Sequence, residues 1–419
     1  MTIKDRFPAL ASRDFLIFWV GQFVSMIGTW MQNTTQTYLA YRITGSSLDL
    51  GLIAFSATLP TLLLALPGGV LIERMDKRKI VIVMQGIMMA QAFILAFLAL
   101  TGRIQIWHMI VLAFILGSAN AIEITARQSM LIELVGKPAL PNAIALQSAI
   151  FQLARVLGPS FTAIILVLAK NQGEGWAFFA NGVSFLFVIL SLLFVRTPYR
   201  IIQSDLIKRK INLSAELGEG WKYIRGNTVV LLIIILVALI GFFGFPFSQQ
   251  FPALARDVLQ GISDSEKLVA ARTSALYLAM GIGALIAALI VSAFSNLRRK
   301  ALLMSIGQFV FSVTMVLLAF AHSLPVAVVL VSILGWATVT QFMMMNTLIQ
   351  LDVPDELRGR VFSVYLWAQQ GVAPFGSLFI GWLAQTAGVP PAALICGCVC
   401  LLVVLITQVK WPILRQKTA

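Results

Sequence analysis

The sequence is poor in charge and in the residues that build disulfides, metal sites or hydrolytic centres. Charged residues occupy 11% of its 419 positions, against about 25% in a soluble domain. Its three cysteines lie together between positions 396 and 400, and it has two histidines. This scarcity excludes an ordinary soluble protein, a cysteine framework and a paired-cysteine zinc site, and we expect no metal and no cofactor.

Motifs of common catalytic machineries are missing as well. The sequence contains no G-x-x-x-x-G-K-[ST] phosphate loop and no H-E-x-x-H pair, the motifs of phosphate-binding ATPases and of many zinc hydrolases. We therefore expect a protein that is not an enzyme. The first fourteen residues carry charges of both signs and no small-residue cleavage pattern, so no removable signal peptide is predicted.

Long apolar runs, by contrast, are abundant. Hydrophobic residues make up 59% of the chain, and uncharged runs of about 20 residues predict membrane-spanning helices. Eight runs fit one helix each, the fifth interrupted only by Arg155: 15–41, 50–72, 80–102, 104–122, 138–169, 175–195, 226–255 and 273–297. Two longer runs, 301–351 and 361–409, each fit two helices around a turn, at 322–325 and 388–391. The sequence thus predicts an all-α membrane protein with twelve spans, numbered here span 1 to span 12.

The positive charge is distributed unevenly among the connections. The net charge is +14, and most Lys and Arg residues fall in the terminal segments and in every second connection. Because positive loops stay in the cytoplasm, we expect both termini there and a multi-pass protein of a bacterial cytoplasmic membrane, surrounded by lipid bilayer. This topology explains the charge, so no nucleic-acid partner is expected.

The polar stretch between spans 6 and 7 divides the chain. We predict three parts: an N-terminal six-helix bundle (1–195), a cytoplasmic linker (196–227) and a C-terminal six-helix bundle (228–419). Apolar residues of the linker recur at helical spacing, at Leu213, Leu217, Trp221 and Ile224. This spacing predicts an amphipathic helix at the membrane interface, with a solvated basic loop as the alternative.

Short stretches repeat at an offset of about half the chain. Residues 130–140 resemble residues 347–357, and Gly158-Pro159 in span 5 is echoed by Pro374 in span 11. Equivalent positions in two six-helix halves predict pseudo-symmetric bundles around a central cavity, the arrangement used for alternating access. We expect Gly158, Pro159 and Pro374 to allow helix flexing, with close packing alone as the alternative.

The connection between spans 2 and 3 carries a family motif. Residues 69–79, with the sequence GVLIERMDKRK, resemble the G-x-L-x-D-R-x-G-R-R-K motif of the major facilitator superfamily, with Glu73 in place of Asp, Asp76 in place of Gly and Lys77 in place of Arg. Residues 125–159 and 353–361 look like the subfamily of drug and macrolide efflux proteins that includes the enterobactin exporter. The resemblance covers nearly the whole chain and implies the major facilitator fold.

The resemblance also implies gating by charged residues at one end of the N-terminal half. The implied gating and charge-relay residues are Gly69, Glu73, Arg74, Lys77, Arg78, Glu123 and Arg127. By resemblance, Glu123 is expected to pair with Lys77 or Arg78, and Glu73 with the facing end of span 11. Such pairs break and re-form as the halves move. Fixed ion pairs that only orient the loop are the alternative.

Arg155 is the one cation deep inside a span, and a buried intramembrane charge indicates a functional site. Its planar guanidinium suits a carboxylate or phosphate, while bonding to carbonyls and glutamines of neighbouring helices is the alternative. Polar residues on spans 1, 5, 10 and 11 face either the cavity or another helix, and Trp30 and Trp367 offer aromatic surfaces. The further candidate substrate-binding residues are Gln22, Ser25, Thr29, Gln32, Asn33, Gln152, Gln341, Tyr365 and Gln369.

These features together favour a secondary active transporter. We expect a monomer that exports a small amphipathic molecule, a siderophore or a drug, by alternating access, with protons as the coupling ion. A lipid or lysolipid transporter of the same fold, in which Arg155 takes the phosphate, is the alternative. Repeated halves and a gating motif are not expected in a receptor or a scaffold, so these classes are disfavoured.

Overall fold

The computed structural model describes residues 7–72, 75–169, 172–195, 213–259, 265–293 and 300–411. In these ranges all regular structure is helical. The first helices are α1 (Arg13–Thr44), α2 (Ser47–Ile72), α3 (Lys77–Leu100), α4 (Ile106–Leu168) and α5 (Gly173–Phe194). The next are α6 (Leu213–Gly226), α7 (Thr228–Phe243), α8 (Glu266–Ala293) and α9 (Lys300–Leu318). The last are α10 (Leu324–Asp352), α11 (Asp355–Leu366), α12 (Ala373–Ala387) and α13 (Val389–Lys410).

The helices reproduce the twelve predicted spans. Among the described residues, ten helices are long and apolar enough to cross a membrane. One of them, α4, has 63 residues and contains both span 4 and span 5. Span 11 consists of α11 and α12, joined by a π-helical turn. The prediction of an all-α membrane protein with twelve spans is confirmed.

Spans 4 and 5 are joined through a single non-helical residue. Gly136 has φ 72° and ψ 166°, a positive-φ conformation that glycine adopts without a steric penalty. Pro138 follows two residues later, where proline fits the first turn of a helix because its missing N–H is not needed there. Glycine and proline therefore end the first arm of α4 and start its second arm.

Spans 7 and 11 are irregular. After α7 the chain passes through a 3-10 turn (Phe245–Gln250), one α-helical turn (Phe251–Ala253) and a π-helical turn (Leu254–Val258). Span 11 contains a second π-helical turn (Trp367–Gly371), after which α12 begins with proline in its first turn. π-helical turns are rare in proteins, and those that occur are often found at functional sites. The π-helical turn of span 11 therefore indicates a functional role for this span.

The chain forms two compact units. Unit 1 consists of Met1–Gly45, Ser56–Ile202 and Ser265–Leu278, and unit 2 of Ser46–Phe55, Gln203–Asp264 and Ala279–Ala419. The start of α2 therefore belongs to unit 2, and the start of α8 to unit 1. Residues 196–212 of the predicted linker lie outside the described residues. The predicted boundaries of the two six-helix bundles stay a prediction.

In unit 1, α1 packs against α5 and the second arm of α4. Glycine permits this approach, since any side chain at Gly28 would collide with Asn181 and Ser184 of α5. At one end of the unit Phe15 and Phe18 are fully buried in an apolar cluster. This packing fixes the direction in which the polar residues of α1 point.

In unit 2, the first turns of α2 pack against α12. The Ser47 backbone N–H donates to Oε1 of Gln385 at 2.8 Å, and Gln250 Nε2 donates to the Ser47 carbonyl at 3.3 Å. An ideal Cβ on Gly51 would lie 2.6 Å from the Ser377 carbonyl oxygen. Small residues and backbone hydrogen bonds thus hold the start of α2 within this unit.

Candidate functional site

Arg155 is buried, and no other residue that the structure describes offers it a polar partner. It lies on the second arm of α4 and is 8% exposed. Among the described residues, no hydrogen bond or ion pair engages its guanidinium. Its Cζ lies 5.6 Å from the centroid of the Trp30 ring on α1. Because buried charges are normally paired, this position is suited to an anion that comes from outside the protein.

Aromatic surface lies next to Arg155. The rings of Trp30 and Phe151 are 5.6 Å apart at an interplanar angle of 75°, the edge-to-face arrangement that aromatic pairs prefer. Phe151 precedes Arg155 by four residues, so the two side chains share one face of α4. Phe151 is 43% exposed. A positive charge and accessible aromatic surface therefore occur side by side.

Two side-chain amides share helix faces with Arg155 and Trp30. Gln152 lies three residues before Arg155, and Asn33 lies three residues after Trp30, spacings that place each pair on one helix face. Both amides are half-buried, and within the described part of the chain neither makes a side-chain hydrogen bond. Trp30, Asn33, Phe151, Gln152 and Arg155 are named the Arg155 site below.

Gly158 sets the approach of α1 to α4 at this site. An ideal Cβ on Gly158 would lie 2.5 Å from Cβ of Trp30 and 2.8 Å from the Met31 nitrogen. One turn later, Thr162 Oγ1 donates to the Met31 carbonyl at 3.2 Å. Pro159 is buried inside α4, where the only non-helical residue is Gly136. The flexing role assigned to Gly158, Pro159 and Pro374 stays a prediction.

Gln32 points to neighbouring helices. Its Nε2 donates to Oε1 of Gln91 on α3 at 3.1 Å, and its Oε1 accepts from Nδ2 of Asn181 on α5 at 2.7 Å. Thr29 Oγ1 donates to the Ser25 carbonyl on its own helix at 3.0 Å. Of the two alternatives for the polar stripe on span 1, contact with another helix applies to Gln32.

Other buried glutamines keep unpartnered amide atoms. Within the described ranges, Oε1 of Gln22 and both amide atoms of Gln147 in unit 1 have no hydrogen-bond partner, and in unit 2 the same holds for both amide atoms of Gln308 and Gln341. Gln308 and Gln341 are completely buried. Since an unsatisfied buried polar group is costly, each amide suits an internal water or a polar group of a substrate.

The candidates on span 11 lie in unit 2. Tyr365 is 1% exposed, its hydroxyl donates to the Phe342 carbonyl at 3.4 Å, and its ring stacks on Phe362. Gln369 is half-buried in the π-helical turn. Its carbonyl touches α7, because an ideal Cβ on Gly241 would lie 2.6 Å from that oxygen. Both residues thus belong to the irregular part of span 11.

The predicted pairing of Glu123 with Lys77 or Arg78 is not observed. Lys77 Nζ instead lies 2.6 Å from Oε1 of Glu133, and Arg78 Nη2 donates to the Leu193 carbonyl at 3.2 Å. Glu133 lies about three helical turns beyond Glu123 along α4, nearer its kink, and so meets the first turn of α3. The ion pair joins the start of α3 to the end of the first arm of α4.

Glu123 pairs within its own helix. Arg127 Nε lies 3.0 Å from Oε1 of Glu123, and Nε2 of Gln85 on α3 donates to the same oxygen at 3.2 Å. Glu123 is 2% exposed and Arg127 8%, so the charges are shielded from solvent. The i, i+4 spacing that put both residues on one face also determines the pair.

Part of the motif between spans 2 and 3 lies outside the described residues, namely Glu73 and Arg74. Gly69 is in the last turns of α2. Asp76, where the family motif has glycine, is the N-cap of α3: its Oδ1 accepts from the backbone N–H of Arg78 at 3.1 Å and of Lys79 at 3.3 Å. Asp is a favoured N-cap, which explains the departure from the motif.

A second polar cluster lies at the other end of unit 1. Arg42 forms an ion pair with Glu174, and its Cζ lies 5.8 Å from the centroid of the Tyr38 ring. The Tyr38 hydroxyl donates to the backbone carbonyl of Glu266 at 2.9 Å and is 3.3 Å from its Oε2. These contacts attach the first turn of α8 to the end of α1.

Sequence reasoning missed several members of these clusters. Phe151 carries a usable signal, because it precedes Arg155 by one helical turn. Glu133 stands in the repeated stretch 130–140, but the sequence does not say which cation it meets. Gln91 and Asn181 have no local signal, since their partner Gln32 is 59 and 149 residues away.

An all-helical fold of twelve spans with a buried cation, buried amides and ion pairs at helix ends is typical of a membrane transporter of the major facilitator type. The model of the transmembrane secretion effector family matches residues 5–419. The chain therefore belongs to this family of the major facilitator superfamily.

Relatives cover nearly the whole chain. The staphyloferrin A transporter of Staphylococcus aureus is 23% identical over 90% of this chain and 89% of its own. The multidrug efflux pump Tap of Mycolicibacterium fortuitum is 25% identical over 84% of each chain. A solved POT family transporter in complex with a thioalcohol-conjugated peptide has a TM-score of 0.73 at 12% identity, covering 96% of this chain and 97% of its own. That structural likeness concerns the fold alone.

Family membership confirms three of the sequence-based predictions. The chain is a major facilitator protein of the transmembrane secretion effector family, it is a transporter and not an enzyme, and it is a multi-pass membrane protein. The protein is therefore a membrane transporter of small molecules.

Proposed function

We propose that this chain exports a small amphipathic anion, of the siderophore or drug type, across a bacterial cytoplasmic membrane. The observation that carries the proposal is the buried guanidinium of Arg155, for which the described residues provide no acid and no hydrogen-bond acceptor. A charge at this depth is expensive. Binding of an anionic substrate offsets the free-energy cost of burying this charge.

The chemistry of the site favours an anion with aromatic or apolar parts. A guanidinium binds a carboxylate or phosphate through two parallel hydrogen bonds. Trp30 and Phe151 add aromatic surface on one side, and the free amides of Asn33 and Gln152 add hydrogen-bond donors and acceptors. A ligand that satisfies all three features carries an acidic group, a ring and polar substituents.

The direction of transport is supported by the relatives. One of them is named as a multidrug efflux pump, which supports export, whereas the name of the staphyloferrin A transporter supports the substrate class alone. We place both termini in the cytoplasm, because the positive connections then stay on the cytoplasmic side. In this orientation the ion pairs Lys77–Glu133 and Glu123–Arg127 lie towards the cytoplasm. Each monomer works by alternating access of its two halves.

Proton coupling is the second part of the proposal. Glu123 is the buried acid of the pairs at this end, and its carboxylate is held by Arg127 and Gln85. A proton delivered to Glu123 replaces Arg127 as the partner of that carboxylate and frees the arginine to move. Charge exchange of this kind biases a two-state element. It links a proton gradient to the exchange of conformations.

The deciding experiment is transport by the purified protein in proteoliposomes, with and without an imposed pH gradient. The panel contains siderophores and drugs in matched pairs, one member with a free carboxylate and the other with that group esterified, and a lysolipid. We expect gradient-driven movement of the carboxylate members and little movement of the esters.

Two variants separate the two parts of the proposal. Arg155→Gln is expected to abolish the preference for the carboxylate member of each pair, and Glu123→Gln the dependence on the pH gradient. Gly86→Ala, at a glycine of α3 with open space around it, is the matched control and is expected to transport normally. Equal transport of acids and esters by the wild type overturns the anion assignment. Movement that is indifferent to pH overturns proton coupling.

A further inference from the structure

The linker helix α6 is attached to unit 2 by one of its faces. The Tyr223 hydroxyl donates to the Asp352 carbonyl at 3.2 Å, and Nδ2 of Asn227 donates to Oδ2 of Asp352 at 3.0 Å. Ile224 is completely buried, and Gly220 lies against Arg360 of α11. Because an α-helix turns by about 100° per residue, Gly220, Tyr223, Ile224 and Asn227 lie on one face. α6 therefore has a fixed orientation within the unit.

The opposite face of α6 carries an aromatic residue and two cations. Trp221 is 41% exposed, and Lys222 and Arg225 are exposed as well. The Cζ of Arg225 lies 5.2 Å from the centroid of the Trp221 ring. Within the described residues neither cation makes a hydrogen bond or an ion pair. The acid on this part of the helix, Glu219, is engaged by Arg360.

The position of α6 along the unit places this face at a membrane surface. Asn227, the residue after α6, is the N-cap of the spanning helix α7, since its Oδ1 accepts from the Val229 N–H at 3.1 Å. On its other side α6 packs against α11, the first part of span 11. Both neighbours therefore enter the bilayer next to α6, and its open face lies at the level of the lipid headgroups.

We propose that Trp221, Lys222 and Arg225 form a binding site for the phosphate groups of anionic phospholipids. Indole rings favour the headgroup region, where they are partly apolar and partly wet. Cations held at a membrane surface attract anionic lipids, and an arginine whose flat face lies on an indole keeps its N–H groups at the edge for a phosphate. The site is independent of the proposed export function.

Charge complementarity selects this occupant over bare solvent or a cytosolic protein. Two unpaired cations and one aromatic ring lie within two helical turns, and the nearest acid is neutralised by Arg360. A fixed helix at headgroup level meets phosphates at high local concentration, so binding needs no further ordering of the chain. The lipid thus holds α6 from the side that unit 2 leaves open.

The test uses the full-length protein in nanodiscs of phosphatidylcholine with increasing phosphatidylglycerol. The contribution of Trp221 is the fluorescence of the wild type minus that of Trp221→Phe. We expect a nitroxide on the lipid headgroup to quench this contribution more strongly than aqueous iodide does, and the signal to saturate as phosphatidylglycerol is added.

Charge variants then locate the lipid phosphate. Lys222→Gln and Arg225→Gln are each expected to shift the half-saturating mole fraction of phosphatidylglycerol upward by about fivefold, the effect of one cation at a membrane surface. The control Lys79→Gln/Lys137→Gln removes two exposed lysines of unit 1 and is expected to leave the midpoint unchanged. Because Arg225→Gln also removes the contact with the Trp221 ring, Lys222→Gln decides.

Three results overturn the proposal. One is a Trp221 contribution that iodide quenches and phosphatidylglycerol does not change, which means that this face is open to the cytosol or to a soluble partner. Another is an unchanged midpoint in Lys222→Gln. The third is an equal shift in the unit 1 control, which means a general attraction of anionic lipid and no site on α6.

Discussion

Gly158 lies so close to Trp30 that no side chain fits between them: an ideal Cβ at position 158 would be 2.5 Å from Cβ of Trp30. The main chain of Met31 is similarly near, at 2.8 Å from that Cβ to the Met31 nitrogen. A backbone atom cannot swing away as a flexible side chain does. The approach of α1 to α4, and with it the position of the Trp30 ring beside Arg155, therefore depends on this glycine.

The first prediction is that Gly158→Ala destabilises the protein and weakens ligand binding at the Arg155 site. Overpacking of this kind costs about 1–3 kcal/mol, measured as a lower midpoint of thermal or denaturant unfolding. Gly86→Ala is the matched control, because nothing lies near an ideal Cβ there and alanine favours a helix by up to about 1 kcal/mol. Equal unfolding midpoints for the two variants would contradict the close approach.

The second prediction concerns the charge of Arg155. Replacement by Gln removes a charge-assisted hydrogen bond worth about 1.5–3 kcal/mol, so the affinity for a carboxylate substrate falls by roughly 10- to 150-fold. Replacement by Lys keeps the charge but loses the planar fork, and an intermediate loss is expected. The measurement is a direct binding titration.

The esterified partner of the same substrate is the control for Arg155. Its affinity is expected to change little in either variant, because no anion is present to lose its partner. A comparable loss for the acid and the ester would mean that Arg155 supports the fold of the site and does not contact the acid.

The third prediction concerns the buried pair of Glu123 and Arg127. Glu123→Gln leaves the guanidinium of Arg127 without its acid, and breaking a buried pair costs about 3 kcal/mol or more. The unfolding temperature therefore falls. Because Gln cannot alternate between a charged and a protonated form, we expect the exchange between inward and outward states, followed by distance measurements between spin labels, to slow more than substrate binding weakens.

A double variant tests whether the lost stability of Glu123→Gln arises from the unpaired charge. In Glu123→Gln/Arg127→Gln both charges are gone, so much of the stability is expected to return, as it does when both members of a buried pair are replaced. A double variant less stable than the single one would show that Arg127 has partners of equal weight elsewhere.

The fourth prediction concerns the hydroxyl of Tyr38. Tyr38→Phe removes its hydrogen bond to the Glu266 carbonyl, and we expect faster amide hydrogen exchange in the first turn of α8, because that turn loses an attachment to α1. Tyr365→Phe is the control, since its hydroxyl bonds to the Phe342 carbonyl in unit 2. Unchanged exchange at the start of α8 in Tyr38→Phe would rule out this attachment.

The number and places of the spans follow from the sequence because the cost of burying charge in lipid is local and large. The same cost identifies Arg155, the only charged residue within its apolar run, as a candidate functional residue. The pair of Glu123 and Arg127 is also local, since a spacing of four fixes it on one helix face. These features need no knowledge of how helices pack against one another.

Contacts between distant segments were harder to predict. The sequence leaves several acids as possible partners of Lys77. The packing of α3 against α4 brings Glu133, and not Glu123, into contact with it. The amide of Gln32 reads equally well as a substrate contact, and only the position of α3 and α5 assigns it to Gln91 and Asn181. Period and composition give the face of a helix but not its neighbour.

Gly136 is the single non-helical residue that joins the two helical arms of α4. Upstream of it lie the carboxylates of Glu123 and Glu133, and downstream lies Arg155, with no flexible loop in the 63 residues between the ends of α4. A flexible loop between two helices absorbs the displacement of one of them, whereas two helices that meet at one residue transmit it. We therefore expect a tilt of the first arm, when its acids exchange partners, to be passed to the second arm through Gly136 and to displace the Arg155 guanidinium.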